Sequence, residues 1–392
     1  MMMITTNEEL KAFCGRMSKL PFITVDTEFL REKTYWAQLC LIQVASETEA
    51  ACVDPLADGL DLAPLLTLMK NPKVLKVFHA ARQDLEIFHM LMHEVPSPVF
   101  DTQVAAMVCG FEENVSYQNL VSFFLKKNVD KTSRVTDWSV RPLSEKQIQY
   151  ALSDVTYLVD IYKSIRDFLK AKGRTHWVDS EMEHLKDESL YVFPPEEAWK
   201  RLKCNSNSPR FLARLQMLAA WREREAQRTN LPRKHVLRDE TLLEMASTSP
   251  TDVADLFKMR SKPTFSPKSE KGKDLLTVLK IADALPDELL PQPEKKKSLS
   301  PFLRQGVEAM RMLLSAVAAQ NGVAQKLIAT TADLEEIVSR ENAQAQALQG
   351  WRREIFGEKA LAFKNGKLGL CLNPKTREIE FFDRNPSVSS QK

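Results

Sequence analysis

Asp26 and Glu28 lie two residues apart at the end of an apolar run, in the segment VDTEF. The run over residues 22–25 is typical of a buried β-strand. Side chains two residues apart on a strand point to the same side. The sequence therefore places two negative charges side by side, and burying them together is costly unless a cation holds them. This pair predicts a site for a cation.

Acidic residues at this spacing are common in the chain, so the spacing alone does not identify a site. Four Glu/Glu pairs share it, and each is most simply a pair of solvated charges: Glu47/Glu49, Glu181/Glu183, Glu223/Glu225 and Glu378/Glu380. Only Asp26 and Glu28 directly continue an apolar strand. The context of this pair, and not its spacing, favours a metal site.

A third carboxylate, Asp84, falls in the first turns of a helix predicted over residues 83–92, after a strand predicted over 74–78. An acidic residue there also has a simpler explanation, because it complements the positive end of the helix dipole. His79, just before this helix, is either a metal ligand or a hydrogen-bonded structural histidine.

Tyr150 and Asp154 lie on a helix predicted over residues 144–171, which Ser144 and Gln147 would begin as a capping box. Their spacing places them on one face of that helix, one turn apart. A phenol and a carboxylate so placed either form an intrahelical hydrogen bond or belong to the same site as the other carboxylates.

The elements that must position these side chains form a mixed α/β pattern. Short connections predict an antiparallel meander of three strands, at 22–25, 39–44 and 50–53, and helices alternate with strands as far as residue 171. After a Pro/Ser/Asn-rich stretch, the spacing of apolar residues is typical of helices, in two blocks over residues 208–285 and 300–356. A proline-rich and lysine-rich linker separates the two blocks.

Composition excludes several classes of protein. Of 392 residues, 44% are hydrophobic and 27% are charged, which is ordinary for a soluble globular protein. The six cysteines are scattered without a CxxC pair, which argues against a disulfide scaffold or a structural zinc site and favours a reducing cytoplasm. We expect neither a signal peptide nor a membrane span.

The net charge of +3 conceals an asymmetry between the two halves of the chain. Residues 1–190 contain 21 Lys and Arg against 27 Asp and Glu, a net charge of −6. Residues 191–392 contain 34 against 25, a net charge of +9. Either both halves are ordinary solvated surface, or an acidic metal-binding half is joined to a basic half that holds a polyanion.

The order strand D-x-E, helix D, helix Y-x-x-x-D resembles the DEDD superfamily of 3′→5′ exonucleases, and most closely the ribonuclease D family. The resemblance covers residues 20–170 and includes VDTEFLREKTYWAQLCLIQV, HAARQDLEIF, FDTQVAAMVCG and KTSRVTDWSVRPLSEKQIQYALSDVTYL. The segment LARLQMLAAWREREAQRTNLPRKHVLRDETLLEMASTSP resembles the HRDC domain, and residues 300–370 resemble a second, weaker HRDC domain.

This resemblance implies an α/β ribonuclease H-like exonuclease domain (a mixed sheet flanked by helices) over residues 1–190. Two all-α HRDC domains would follow, over 205–285 and 298–370. It also implies two divalent ions, Mg²⁺ or Mn²⁺, which hard oxygen ligands suit. Their ligands would be Asp26, Glu28, Asp84 and Asp154, and Tyr150 would orient the attacking water.

The resemblance also suggests residues that bind substrate. Phe29 resembles a family residue that packs on the terminal nucleotide, although a phenylalanine after a strand is often simply core. Lys131, Arg134 and Arg141 surround Asp137-Trp138 in a segment suited to phosphate contact and base stacking. Arg141 is alternatively a structural salt-bridge partner.

The function implied is a 3′→5′ exoribonuclease that releases nucleoside 5′-monophosphates and trims tRNA precursors and other structured RNAs, as a cytoplasmic monomer. An exonuclease acting mainly on DNA is the first alternative, because no motif reveals a contact to the 2′-OH. The second alternative is a non-enzymatic RNA-binding protein. The presence of all five motif residues argues against it.

Overall fold

The computed structural model describes residues 2–129, 136–292 and 299–384. Its first part is built on a six-stranded mixed sheet in the order β1-β4-β3-β2-β5-β6. The strands are β1 Met2–Ile4, β2 Phe22–Leu30, β3 Gln38–Ala45, β4 Ala50–Val53, β5 Leu75–Phe78 and β6 Val99–Asp101. Strand β2 pairs antiparallel with β3 and parallel with β5, so it is central. The predicted meander of β2, β3 and β4 is confirmed.

Helices cover both faces of this sheet. They are α1 Asn7–Met17, α2 Ala63–Lys70, α3 Arg82–Met92, α4 Thr102–Val108, α5 Tyr117–Leu120, α6 Glu145–Ala171 and α7 Thr175–His184. Helices α1, α2 and α3 bury one face through Phe13, Leu65 and Phe88. The long helix α6, begun by the predicted capping box of Ser144 and Gln147, packs across β2, β3 and β4 on the other face.

A lysine lies inside the sheet. Lys76 on β5 is fully buried, and its ammonium group donates to the backbone carbonyls of Asn71 and Ser97. It forms no ion pair with a carboxylate of the described residues. Burial lowers the pKa of Lys76 to about 7, because the charged form is poorly solvated there.

This burial predicts how stability depends on pH. The folded-state pKa of Lys76 lies below its unfolded value, so the unfolded chain binds more protons between about pH 7 and 10. The free energy of unfolding should therefore rise with pH in this window, by up to about 1.4 kcal/mol per pH unit. Urea unfolding at pH 7.5, 8.5 and 9.5 should show this slope in the wild type and its loss in Lys76→Met. The exposed neighbour Lys73→Met should keep it, and equal slopes in all three proteins would contradict the prediction.

The second part is helical. Its helices are α8 Pro209–Thr229, α9 Arg233–Val236, α10 Asp239–Thr248, α11 Val253–Lys258 and α12 Glu270–Asp283. Leu218, Leu242 and Leu275 meet in its core. A 3₁₀ helix, Pro195–Arg201, adds Ala198 to this core, so residues before 205 pack with this unit.

The third part repeats the beginning of the second. Its helices are α13 Pro301–Asn321, α14 Gln325–Ile328, α15 Thr331–Ser339, α16 Gly350–Arg352 and α17 Glu358–Lys364, followed by the hairpin β7 Leu368–Leu372 and β8 Ile379–Asp383. Helices α8 and α13 both have 21 residues, begin with proline after a serine N-cap and end at a left-handed residue. A four-residue helix follows each at the same spacing. The sequence analysis did not predict the hairpin.

The third part shares a hydrophobic core with the first, which we call the junction core. Trp177 of α7 stacks on Trp351 of α16, with ring centroids 4.6 Å apart and planes 11° apart. Arg352 forms an ion pair with Glu181 at 2.6 Å, and Arg174 donates to the carbonyl of Asn321. The first and third parts are therefore joined by buried apolar contact across some 170 residues of sequence.

Among the described residues, no helix has both the length and the apolar character needed to cross a membrane.

Candidate active site

Three of the predicted carboxylates converge. Asp26 and Glu28 on β2 and Asp154 on α6 each offer an oxygen, and these oxygens all lie within 4.8 Å of one another. Alternation along β2 turns Asp26 and Glu28 toward the face that α6 covers. The β2–β3 register is interrupted by a bulge between Glu28 and Phe29, where the strand changes course at the edge of the site.

Asp84 approaches the same strand from the other face. It lies in the first turn of α3 with 5% of its surface exposed, and it accepts a hydrogen bond from the hydroxyl of Thr27. Thr27 lies between Asp26 and Glu28, so its side chain points to the opposite face from theirs. Asp84 therefore lies outside the group of three converging carboxylates and is linked to it through Thr27.

The electrostatics of this cluster favour a bound cation. Burial raises the pKa of Asp26, and the nearby charge of Asp154 raises it further. Burial and the charge of Asp26 likewise raise the pKa of Asp84. Opposite Asp26 on β3, the amide of the fully buried Gln43 has no hydrogen-bond partner among the described residues. A ligand set made only of carboxylate oxygens fits Mg²⁺ or Mn²⁺.

Tyr150 lies one turn before Asp154 on α6 and forms a side-chain hydrogen bond with it. Burial raises the pKa of Tyr150, and the three neighbouring carboxylates, Asp154 first, raise it further. The phenol therefore keeps its proton at neutral pH. It can orient a neighbouring group through hydrogen bonds, but it is not a general base.

These side chains form one wall of a cavity of about 420 Å³, a size typical of small-molecule sites. Asp26, Tyr150 and Asp154 line this wall. The remaining lining comes from the turn before α3, from α4 and α5 and from the loop between them, and it includes His79, Gln103, Asn114, Ser116, Tyr117 and Gln118. The Nδ1 atom of His79 lies 3.0 Å from the hydroxyl of Thr102, which matches its interpretation as a structural histidine.

A residue that the sequence analysis missed fixes the turn before Asp84. Asp101, buried at the end of β6, accepts hydrogen bonds from the backbone N–H groups of Ala80 and Ala81 at 3.0 and 2.8 Å. Ala80 has a positive φ of 58°, an unfavourable backbone conformation for alanine that these bonds help to hold. Asp101 also caps α4. The segment FDTQ shows this capping signal in the sequence, as an aspartate directly before a helix.

The structure describes some of the predicted substrate-binding residues. Phe29 is partly buried against the core beneath the sheet. Arg141 binds Asp54 through two bonds of 2.7 Å and donates to three backbone carbonyls, so its guanidinium makes internal contacts. Lys131 and Arg134 lie outside the described residues. Substrate contact by any of these four residues stays a prediction.

One member of an acidic pair that was taken for solvated charge is buried. Glu223 on α8 is fully buried, where it binds Arg233 at 2.5 Å and accepts a hydrogen bond from Tyr35 in the β2–β3 loop. The expectation for Glu223 was wrong. Tyr35 is 188 residues away in sequence and Arg233 lies beyond the end of α8, so neither contact follows from residue spacing along a helix.

Comparison with known proteins agrees with this geometry. The family model described as 3'-5' exonuclease matches residues 1–170, and that of the HRDC domain matches residues 211–279. The chain is similar to ribonuclease D of Jannaschia sp. (strain CCS1), with 48% identity over 94% of this chain and 96% of that protein. It is also similar to ribonuclease D of Gluconacetobacter diazotrophicus, with 44% identity over 93% of each.

A solved structure extends the similarity to the whole fold. The crystal structure of Escherichia coli RNase D, an exoribonuclease involved in structured RNA processing, superposes with a TM-score of 0.80. The identity is 31%, and the match covers 92% of this chain and 98% of that one. With its exonuclease and HRDC matches, and with relatives alike over nearly their full length, this chain belongs to the ribonuclease D family of 3′→5′ exonucleases.

Proposed function

We propose that this protein hydrolyses RNA from its 3′ end by a two-metal mechanism and releases nucleoside 5′-monophosphates. The observation that carries the proposal is the convergence of Asp26, Glu28 and Asp154 beside a cavity that Asp26, Asp154 and Tyr150 line. Two divalent ions bound there would stabilise both the attacking and the leaving oxygen of an in-line displacement.

Each side chain has a role in this proposal. Asp26 interacts electrostatically with both Asp154 and Asp84, so it would help to hold both ions. Glu28 and Asp154 would complete the ligand set around one ion, and Asp84 would help to hold the second. Tyr150 orients the attacking water with its protonated phenol. The cavity residues of α4, α5 and the loop between them would receive the terminal nucleotide.

We propose structured RNA, tRNA precursors above all, as the substrate. The net charge of +9 on residues 191–392 supports binding of a polyanion by the helical half. The repeat of α8–α9 by α13–α14 supports a second, HRDC-like domain after residue 299. We propose that the chain works as a monomer, since one chain supplies the whole carboxylate set.

A nuclease assay tests the function. The protein is incubated with 3′-extended tRNA, or with single-stranded DNA of matched length, in Mg²⁺, Mn²⁺ or EDTA. We expect 5′-mononucleotides from the RNA in either metal and none in EDTA. Faster degradation of the DNA would favour the alternative exonuclease, and activity in EDTA would exclude the metal mechanism.

Tyr150→Phe separates orientation from metal binding. The change deletes one hydroxyl and keeps the ring, so packing and metal affinity should change little. We expect kcat to fall by a factor on the order of 10²–10³, as when one positioning hydrogen bond is lost. Tyr162→Phe, a buried tyrosine further along α6, is the matched control and should keep wild-type kcat. A large loss of Mn²⁺ affinity in Tyr150→Phe would show that its role is misassigned.

A further inference from the structure

A second cavity, of about 590 Å³, lies in the helical half between the 3₁₀ helix Pro195–Arg201 and the segment that joins α8 to α10. Five basic side chains line it: Arg201, Arg222, Arg233, Lys234 and Arg238. Three acidic side chains also line it: Glu223, Asp239 and Glu240. We call it the basic cavity.

Ion pairs within the protein neutralise most of the negative charge in the basic cavity. Both carboxylate oxygens of Glu223 are bound by Arg233, and Asp239 is bound by Arg222 at 2.6 Å. Arg201, Lys234 and Arg238 form no ion pair with any described residue. The cavity therefore presents an excess of positive charge, with only Glu240 left to offset it.

Like charges are held close together at its edge. The guanidinium of Arg201 lies 3.3 Å from the ring centroid of Phe193, and that of Arg233 lies 5.6 Å from the same centroid. Burial lowers the pKa of Arg201, and the charges of Arg233 and Arg82 lower it further, although Glu223 opposes them. Repulsion among three arginines costs free energy that a bound anion would offset.

A polar group of the protein is also left without a partner here. Arg222 is 4% exposed, and its Nε has no hydrogen-bond partner among the described residues. The N-cap of α10, Arg238, makes no side-chain capping bond. A buried unpartnered donor beside excess positive charge favours the binding of an anion.

We propose that the basic cavity binds a backbone phosphate of the RNA strand held by the enzyme. This proposal rests on the proposed function, because it takes a polynucleotide as the substrate. Arginine guanidinium groups bind phosphate oxygens with paired donors, and the polynucleotide of the proposed function carries a phosphodiester at every nucleotide.

The cavity is also tied to the catalytic strand. Arg233 stacks over Tyr35 at 4.8 Å, and Tyr35 shares Glu223 with it. Tyr35 lies in the loop between β2 and β3, a few residues after Glu28. The backbone N–H of Trp36 in that loop donates to the side chain of Asn230 at 3.0 Å. A phosphate in the basic cavity would thus be held in fixed relation to the strand that carries Asp26 and Glu28.

The test measures binding of a ten-nucleotide single-stranded RNA in EDTA, by fluorescence anisotropy over 50–300 mM KCl. The proteins compared are the wild type, Arg201→Gln, and Arg201→Gln/Lys234→Gln. Each lost phosphate contact should reduce the slope of log K against log salt by about 0.7. We expect the single variant to bind several-fold more weakly at 100 mM KCl, with a shallower slope. The double variant should be weaker still, with melting temperatures unchanged.

Arg224→Gln is the control, because Arg224 is on the same helix α8 but is exposed and paired with Glu196 outside the cavity. Its slope should equal that of the wild type. The proposed site would be overturned if the double variant kept the wild-type slope, or if the slope fell as much in Arg224→Gln as in the double variant. A second experiment measures the melting temperature of the wild type with and without inorganic phosphate. If phosphate raises the melting temperature while all variants bind RNA equally well, the cavity binds a small anion and the RNA proposal fails. Hydrolysis by the wild type is measured separately and tests the nuclease function alone.

Discussion

Asp26→Asn is expected to abolish nuclease activity, with kcat reduced by a factor on the order of 10⁴ or more. One positioning hydrogen bond is worth roughly 10²–10³ in rate. A carboxylate that would help to hold both proposed metal ions should be worth more, because its loss disturbs both ions at once. The measurement is single-turnover hydrolysis of a 3′-labelled RNA in Mg²⁺. Glu378→Gln, an exposed member of an acidic pair with the same spacing, should retain wild-type activity.

The same variant should be more stable than the wild type in EDTA. The pKa of Asp26 is higher in the folded state than in the unfolded chain, so its charge destabilises the fold above the unfolded pKa of about 4. That cost disappears as pH falls and is absent from the asparagine variant at every pH. Thermal unfolding in EDTA at pH 7 should therefore give the variant the higher melting temperature. Full activity in Mg²⁺, or a lower melting temperature in EDTA, would refute the assignment of Asp26.

Trp351→Ala should cost about 3–5 kcal/mol in the free energy of unfolding, the range for removing a large buried aromatic side chain. Trp351 is 4% exposed and stacks on Trp177, so its loss opens the junction core between the first and third parts. Since domains are stable by only about 5–15 kcal/mol, this is a large fraction of the total. Urea unfolding in EDTA measures it without reference to activity.

The control for this change is Phe302→Ala, an aromatic residue of the same part that is 83% exposed. It should cost less than about 1 kcal/mol. Similar losses for the two variants would mean that the junction core does not hold the parts together. A chain cut near residue 205 would expose the same apolar face of α7, so we expect the first part alone to be poorly stable.

Local patterns in the sequence were sufficient to predict the strand and helices that carry the carboxylates. The strand that carries Asp26, the helix that carries Asp84 and the capped helix of Tyr150 and Asp154 each have a period that their own residues reveal. A strand end and a one-turn spacing then put the side chains on defined faces. What these patterns left open was which faces meet, and the family resemblance supplied that.

The features missed are those made by contacts distant in sequence. The stripe of α7 indicates a buried face, but nothing near Trp177 indicates that Trp351 covers it. Glu223 reads as a surface charge until Tyr35 and Arg233 reach it. Strand β1 is only three residues long and forms by pairing with β4.

The junction core has a consequence for how the chain is made. Ribosomes add about 5–20 residues per second, and domains emerging from them generally fold in order from the N-terminus. Trp177 is therefore synthesised roughly 10–35 s before Trp351 exists to cover it. During that interval the nascent first part exposes the apolar face of α7 to the cell. This protein should depend on chaperones during translation more than its separate parts suggest, and slowing synthesis between the two tryptophans should lower its soluble yield.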